Sequence, residues 1–214
     1  MIELYDCYSQ ESRDLHESLV ATGLSQLGVV IDADGFLPDG LVSPFTYYLG
    51  YEEGKPLYFN QVSVPAFWEI SGNNQSARIE DMTQERALIH YADGMQDRLV
   101  KQVDWKDLEG RVRQVDHYNR FGACFATTTY SADSEPMMTV YQDVNGQQVL
   151  LENHVTGDIL LTLPGQSMRY FTNRVEFITF FLQDLEVDKH QIVFNTLATA
   201  FLVSFHHPDK SGSD

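Results

Sequence analysis

Two aspartates, Asp32 and Asp34, stand one residue apart directly behind the β-branched run Gly28-Val29-Val30-Ile31. That D-x-D spacing at the end of a buried strand could hold a divalent metal bridging the diphosphate of a nucleotide sugar. The same stretch, Asp32-Ala33-Asp34-Gly35, is also good turn chemistry, in which carboxylates accept local backbone N–H groups and the glycine adopts a positive φ. The turn is the expected reading. His154 and the His206-His207 pair lack partners at metal-ligand spacing and read as surface or core histidines. Cys124 lies in an alternating strand-like run, where a thiol acts as a small filler rather than a nucleophile. No Gly-x-Ser-x-Gly, phosphate loop or Gly-x-Gly-x-x-Gly occurs. No catalytic residue, metal site or cofactor is therefore expected.

An α/β unit that holds a phosphate after its first strand needs glycines there, so that backbone N–H groups can approach the oxygens. Here the segment is Asp6-Cys7-Tyr8-Ser9-Gln10-Glu11, with two acids where an anion would sit. The chain carries 31 acidic against 14 basic residues, a formal charge of -17. A nucleic-acid backbone or an anionic leaflet would be repelled over most of such a surface, so no nucleic-acid partner is expected. Two cysteines in 214 residues are too few for a disulfide framework. The first thirty residues lack a basic n-region and an apolar h-region. No apolar run reaches the roughly 20 residues of a spanning helix. A soluble cytoplasmic chain is expected, in which the Asn74-Gln75-Ser76 sequon is not a glycosylation site.

The elements that must carry these residues change character along the chain. Ile2 to Tyr5 reads as a strand, Ser9 as the cap of a helix bearing Leu15, Leu19 and Val20, and Gly23 as its stop. With Gly28 to Ile31 this makes a β-α-β opening. From about Tyr47 the apolar period becomes 2. Strands are expected over Leu99 to Trp105, Arg111 to Tyr118, Ala123 to Tyr130, Met137 to Gln142, Gln148 to Val155, Ile159 to Leu163 and Met168 to Phe171. They are separated by turns such as Phe121-Gly122, Asn145-Gly146 and Pro164-Gly165. Helical periodicity returns at Arg174 to Leu182, followed by a strand at Ile192-Val193-Phe194 and a helix over Leu197 to Phe205 capped by Asn195 or Thr196. Nothing after the loop-like Asp209 to Asp214 completes the parallel sheet, so the chain is expected to be a fragment.

The basic residues cluster in the meander: Arg98, Lys101, Lys106, Arg111, Arg113 and Arg120 face only Asp104, Asp107, Glu109 and Asp116 between residues 98 and 120. This is either a solvated hairpin protected by charge from strand-to-strand aggregation or a binding surface. Leu99, Lys101, Val103 and Trp105 are expected to share one strand face, and both faces of the meander are mixed in polarity. A sheet of that kind offers aromatic, threonine and basic groups to another polypeptide, or is covered by its own domain.

Several stretches resemble a known family. They are Gln10-Glu11-Ser12-Arg13-Asp14-Leu15-His16-Glu17-Ser18-Leu19, Asp34-Gly35-Phe36-Leu37-Pro38, Phe59-Asn60-Gln61-Val62, Phe67-Trp68-Glu69-Ile70, Leu99-Val100-Lys101-Gln102-Val103-Asp104-Trp105 and Glu152-Asn153-His154-Val155-Thr156-Gly157-Asp158-Ile159-Leu160. Together they resemble the glycosyltransferase-stabilising subunit of the accessory secretion system of streptococci and related Gram-positive bacteria, with similarity end to end. The resemblance implies an α/β plus β fold: a partial Rossmann-like lobe of a two-lobed glycosyltransferase-type fold, interrupted by an extended antiparallel β-meander. Residues 1–46 would open the lobe, 47–172 form the insert and 173–214 return to the lobe. It also implies a non-catalytic subunit that helps a catalytic paralogue transfer N-acetylglucosamine from its uridine diphosphate donor to a serine-rich repeat adhesin. The complex would lie in the cytoplasm, with peripheral association at the inner face of the membrane. The resemblance implies a second lobe that these 214 residues do not include, so no donor-site residue is expected to carry over. Candidate contacts to acceptor or partner are Lys101, Trp105, Arg111, Arg113, Tyr118 and Tyr141. Two other readings are an autonomous sugar-nucleotide transferase using Asp32 and Asp34, and a carbohydrate-binding β-module.

Overall fold

The computed structural model describes residues 1–92, 97–186 and 192–206. His207 of the expected histidine pair lies outside them. The chain opens with β1 (Ile2–Tyr5), α1 (Gln10–Ala21), β2 (Leu27–Val30), β3 (Leu41–Val42) and the single turn α2 (Pro44–Tyr47). Ser9 caps α1, its side chain accepting from the Ser12 N–H at 3.3 Å, and Gly23 follows the helix at φ +69. Glu3 on β1 is fully buried. It accepts from the Tyr5 hydroxyl at 2.9 Å and lies 2.5 Å from His16 Nδ1, which ties α1 to its strand.

Ten strands follow: β4 (Trp68–Gly72), β5 (Ser76–Asp81), β6 (Gln84–Tyr91), β7 (Val100–Lys106), β8 (Val112–Tyr118), β9 (Cys124–Tyr130), β10 (Pro136–Gln142), β11 (Gln148–Asn153), β12 (Ile159–Leu161) and β13 (Arg169–Phe171). The chain ends with α3 (Arg174–Asp184), β14 (Ile192–Phe194) and α4 (Thr199–His206). The four outer strands form a parallel sheet in the order β14-β1-β2-β3, and the ten between them an antiparallel meander in strict chain order. The expected strands from Leu99 onward all appear, each within two residues of its predicted bounds. Asn145-Gly146 closes β10 onto β11 with Gly146 at φ +74, a conformation open to glycine at little cost.

Three expectations are corrected. Period-2 structure does not begin near Tyr47: residues 48–67 form no strand, and Gly50, Gly54, Pro56 and Pro65 interrupt any ladder there. The final helix starts at Thr199, because its N-terminus is capped from outside by Asp6, whose Oδ1 accepts from the Ala200 N–H at 3.2 Å. Lys101 does not share a face with Val103 and Trp105. The register slips where Tyr91 pairs with Val100 and His90 with Gln102, and this bulge turns Lys101 toward Asp34.

Pairing register shows where the cores lie, since directly opposed residues share a face. Ala77, Ile89, Val103, Asp116 and Thr127 are opposed in succession across β5 to β9. On this face Val62 and Phe59, from the irregular segment, cover Ile79, Ile89 and Val103. Asp104, Val115, Thr128, Thr139, Glu152, Ile159 and Phe171 form a row on the opposite face. There the far end of the sheet packs Phe125, Tyr141, Leu150 and Ile159 against Leu4, Phe45, Phe177 and Phe181 of the parallel unit. Each face is covered at one end only, so both read as mixed in sequence. No helix among the described residues is long and apolar enough to cross a membrane.

Candidate functional site between insert and base

The two sheets meet at the carboxyl ends of the parallel strands. Beyond β2 the ladder continues as the Ile31 and Asp32 N–H groups donate to the Tyr5 and Asp6 carbonyls, which sets Asp32 at the rim of a cleft of about 380 Å³. Its walls are the Asp32–Gly35 turn, strands β7 to β11 and the first residue of α3, Arg174. Asn173 caps α3 by accepting from the Glu176 N–H at 3.0 Å, which orients Arg174. Arg174 binds Glu152 through two nitrogens, at 2.5 and 3.1 Å, and approaches Asp32 at 3.4 Å. Its guanidinium lies 5.1 Å from the Phe45 ring centre. Burial opposes the Arg174 charge, but the hydrogen bonds and charge of Glu152 raise its pKa above the usual guanidinium range. Burial raises the Asp32 pKa, partly offset by Arg174.

Above this clamp runs a hydrogen-bonded rung across strands β8, β9 and β10 to His154, the residue after β11. His117 Nε2 lies 3.0 Å from Thr128 Oγ1, which is 2.8 Å from Thr139 Oγ1, in turn 2.7 Å from His154 Nε2. Each hydroxyl has one proton to give, so the rung points one way or the other according to the histidine tautomers. Burial lowers the His117 pKa. Next to it His90 Nε2 lies 2.8 Å from Asp104 Oδ2, and Gln102 Nε2 donates to Asp104 Oδ1 at 2.6 Å.

The six candidate contacts do not form one surface. Lys101, Tyr118 and Tyr141 line the cleft, although Tyr141 is only 3% exposed and packs against Phe45 and Phe125 with tilted rings. Trp105 lies on the opposite face and donates to Asp116 Oδ2 at 2.7 Å. Arg111 stays at its own hairpin, held at 3.1 Å by both Asp107 and Glu109, and Arg113 lies partly buried on β8. The cationic character of the hairpin is further reduced by Lys106 pairing with Glu85 and Arg120 with Asp39. Arg174, Glu152, His117, Thr128, Thr139 and Asp6 were not among the sequence candidates. A buried glutamate ending the apolar run Val149-Leu150-Leu151, and the even spacing of 117, 128 and 139, were the available signals.

The D-x-D pair is engaged by the chain itself. Asp34 accepts from the Phe36 N–H at 2.8 Å and from Lys101 Nζ at 3.2 Å, while Asp32 faces Arg174. Gly35 serves close approach rather than positive φ: a Cβ there would meet the Tyr118 carbonyl oxygen at 2.6 Å. Asp6 lies at the N-terminus of α4, where it also accepts from the Thr196 hydroxyl. Cys124 is part-buried on β9, hydrogen-bonded to the Ala126 carbonyl, and His154 is part of the rung.

A small parallel α/β base carrying a ten-stranded antiparallel insert, joined by a polar clamp, is the class that this fold defines. Three family models match successive stretches: the GtfB N-terminal domain over residues 2–48, the GtfB middle domain over 68–172 and the GtfB third domain over 174–214. The chain belongs to the GtfB family. It is 90% identical over 214 residues to the UDP-N-acetylglucosamine–peptide N-acetylglucosaminyltransferase stabilizing protein GtfB of Streptococcus pneumoniae serotype 4, covering 100% of this chain and 48% of that protein. It is 52% identical to the protein of the same name from Streptococcus gordonii, again covering 100% and 48%. Among solved structures, the crystal structure of the GtfA/B complex bound to UDP and GlcNAc contains a chain 54% identical, with a TM-score of 0.92 over 96% of this chain and 46% of that one. The chain thus spans about half the length of the curated relatives it matches.

Proposed function

We propose that the chain belongs to a non-catalytic stabilising and acceptor-binding subunit of a protein O-GlcNAc transferase complex, which modifies serine-rich repeat adhesins together with a catalytic paralogue. In this reading residues 1–46 and 173–214 build part of a Rossmann-like lobe and 47–172 are its insert. The complex works in the cytoplasm, peripherally at the inner membrane face. The observation that carries the reading is the use made of the strand-end carboxylates. In open α/β sheets ligands bind in the crevice outside the carboxyl ends of the strands. Here Asp6 caps α4, Asp32 faces Arg174 and Asp34 binds Lys101, so the acids of that crevice hold the chain's own elements. The identity to a chain of the GtfA/B complex supports the partner, and the names of the relatives support the stabilising role.

The test mixes the chain with a GtfA-type transferase, UDP-GlcNAc and a serine-rich acceptor, and follows sugar transfer and co-purification. Transfer should rise when the chain is added. Lys101→Glu and Tyr118→Ala should reduce that rise while co-purification persists. An unchanged rate would overturn this reading, and calorimetric binding of manganese and UDP-GlcNAc that Asp32→Ala abolishes would replace it with that of an autonomous transferase.

A further inference from the structure

The meander ends in two edges that the fold treats differently. β13 is three residues long and backed by α3, with Phe171 packed edge-on against Phe177 and tilted against Phe180. β4 runs five residues, pairs with β5 in unbroken register and, among the described residues, has no strand on its other side. The Asn73 N–H donates to the Ser76 carbonyl at 3.0 Å, which makes residues 73 and 76 a hydrogen-bonded pair. By alternation Ser71 and Glu69 point their backbone groups at β5, while Ile70 and Gly72 point theirs at the open edge. Among the described residues, those outward groups of Ile70 and Gly72 have no hydrogen-bond partner.

Exposed edges are ordinarily guarded by lysine, proline or a bulge, and β4, Trp68-Glu69-Ile70-Ser71-Gly72, has none of these. Immediately before it Phe67 is 97% exposed at φ +73, a strained conformation for an aromatic residue that holds its ring in solvent. The charges beside the edge are also unbalanced. Glu69 is directly opposite Glu80 across the β4–β5 pair, an arrangement that destabilises a sheet. Neither carboxylate has an ion pair or hydrogen bond among the described residues, since nearby Arg78 pairs with Glu85 at 3.3 Å.

We propose that the free edge of β4 is a docking site for an extended polypeptide segment, which adds as a further strand and places a basic side chain beside Glu69 and Glu80. The backbone groups of Ile70 and Gly72 bind it whatever its sequence, and the two glutamates select for positive charge. A second copy of this chain is the wrong occupant: each copy carries a formal charge of -17 and would bring its own Glu69 and Glu80 to the same edge. The site lies on a different part of the sheet from the cleft, so it stands or falls independently of the proposed function.

The probe is a fluorescent peptide of about eight residues alternating threonine and lysine, long enough to span β4, with binding read by anisotropy. Two companions carry N-methyl groups on alternate amides, or glutamate in place of lysine. The threonine-lysine peptide should bind, and N-methylation should weaken it by about tenfold or more, as expected for two lost backbone hydrogen bonds. Ile70→Pro should do the same, because that N–H lies outside the ladder and the sheet tolerates its loss. Glu69→Lys should weaken the threonine-lysine peptide and admit the glutamate one. Should Ile70→Pro fail to fold, the N-methylated arm decides alone. Equal binding of the methylated peptide would mean general attraction to a polyanion and overturn the proposal. So would no binding by any peptide, or a homodimer in sedimentation that Ile70→Pro dissolves.

Discussion

Arg174→Met tests the clamp between base and insert. Glu152, with 5% of its side chain exposed, receives two hydrogen bonds from Arg174, which is 37% exposed. Removing one partner of a fully buried ion pair costs about 3–5 kcal/mol, because the other charge is left uncompensated. Water reaches the arginine side here, and Asp32, 57% exposed, is the weaker of its two partners. The expected loss is therefore about 2–4 kcal/mol, with methionine retaining the contact over Phe45. The assay is urea unfolding followed by tryptophan fluorescence, where such a loss shifts the midpoint by about 1 M at a slope of about 2–3 kcal/mol/M. The companion double variant, Arg174→Met with Glu152→Leu, replaces both charges by apolar groups of similar volume and should be more stable than Arg174→Met alone. A single-variant loss below about 1 kcal/mol, or a double variant losing the sum of the two single losses, would refute the claim that the pair shares one buried interaction.

Gly35→Ala drives a methyl group to within 2.6 Å of the Tyr118 carbonyl oxygen and 2.7 Å of Asn119 Cα, so it should cost about 1–3 kcal/mol in thermal unfolding. A neutral result would mean that the β8–β9 turn does not seat on the base as described. The hydrogen bond to Asp104 raises the His90 pKa above its ordinary 6.5, so the pair's stabilisation is full below that value and lost as pH rises through the raised one. At the acid end burial works against the Asp104 carboxylate, but hydrogen bonds from His90 and Gln102 hold its pKa down, so the contribution persists until pH falls below the ordinary carboxylate range. The stability gap between wild type and Asp104→Asn should thus be wider at about pH 6 than at about pH 8, and a flat gap contradicts the pairing. Burial, helped by the Asp116 charge, pushes the Cys124 thiol up to about 11, whereas Cys7 is exposed. Iodoacetamide at neutral pH should label Cys7 and spare Cys124 until the protein unfolds, with mass spectrometry as the readout.

The legible part of the fold is the part whose turns are rich in glycine or in short polar residues. Gly110, Gly122, Gly146, Gly157 and Gly165 punctuate the chain from β7 to β13, the β9–β10 turn is the polar Ser131-Ala132-Asp133-Ser134-Glu135, and every strand expected among them is present. The hairpins of β4, β5 and β6 turn without glycine. Asn73 makes the first turn with its side chain, accepting from the Gln75 and Ser76 N–H groups, and Met82 takes φ +56 in the second. A methionine in that conformation gives no turn signal, so strands 68–91 merged with the irregular segment before them. The Lys101 error has a similar origin: one bulge reverses the facing of every later residue in a period-2 count, and nothing in Leu99 to Trp105 marks it.

The site was less legible because its partners are remote in sequence. Arg174 is 22 residues from Glu152 and 142 from Asp32, and Lys101 is 67 from Asp34. His117, Thr128 and Thr139, by contrast, recur at intervals of 11, which is one hairpin step in this meander, so the rung follows once the strands are known. Taken alone, acids at the ends of parallel strands look like ligands for a metal or a sugar nucleotide. Asp6, Asp32 and Asp34 each sit at such an end, and each is turned on an element that arrives much later in the chain: α4, the start of α3 and β7. A carboxylate bound to the protein's own cation or helix terminus must first lose that partner before it can serve a ligand. The strand-end acids that would define a site in related α/β layers are therefore used here to hold α4 and Arg174 within the base and, through Asp34 and Lys101, to tie the base to β7 of the insert.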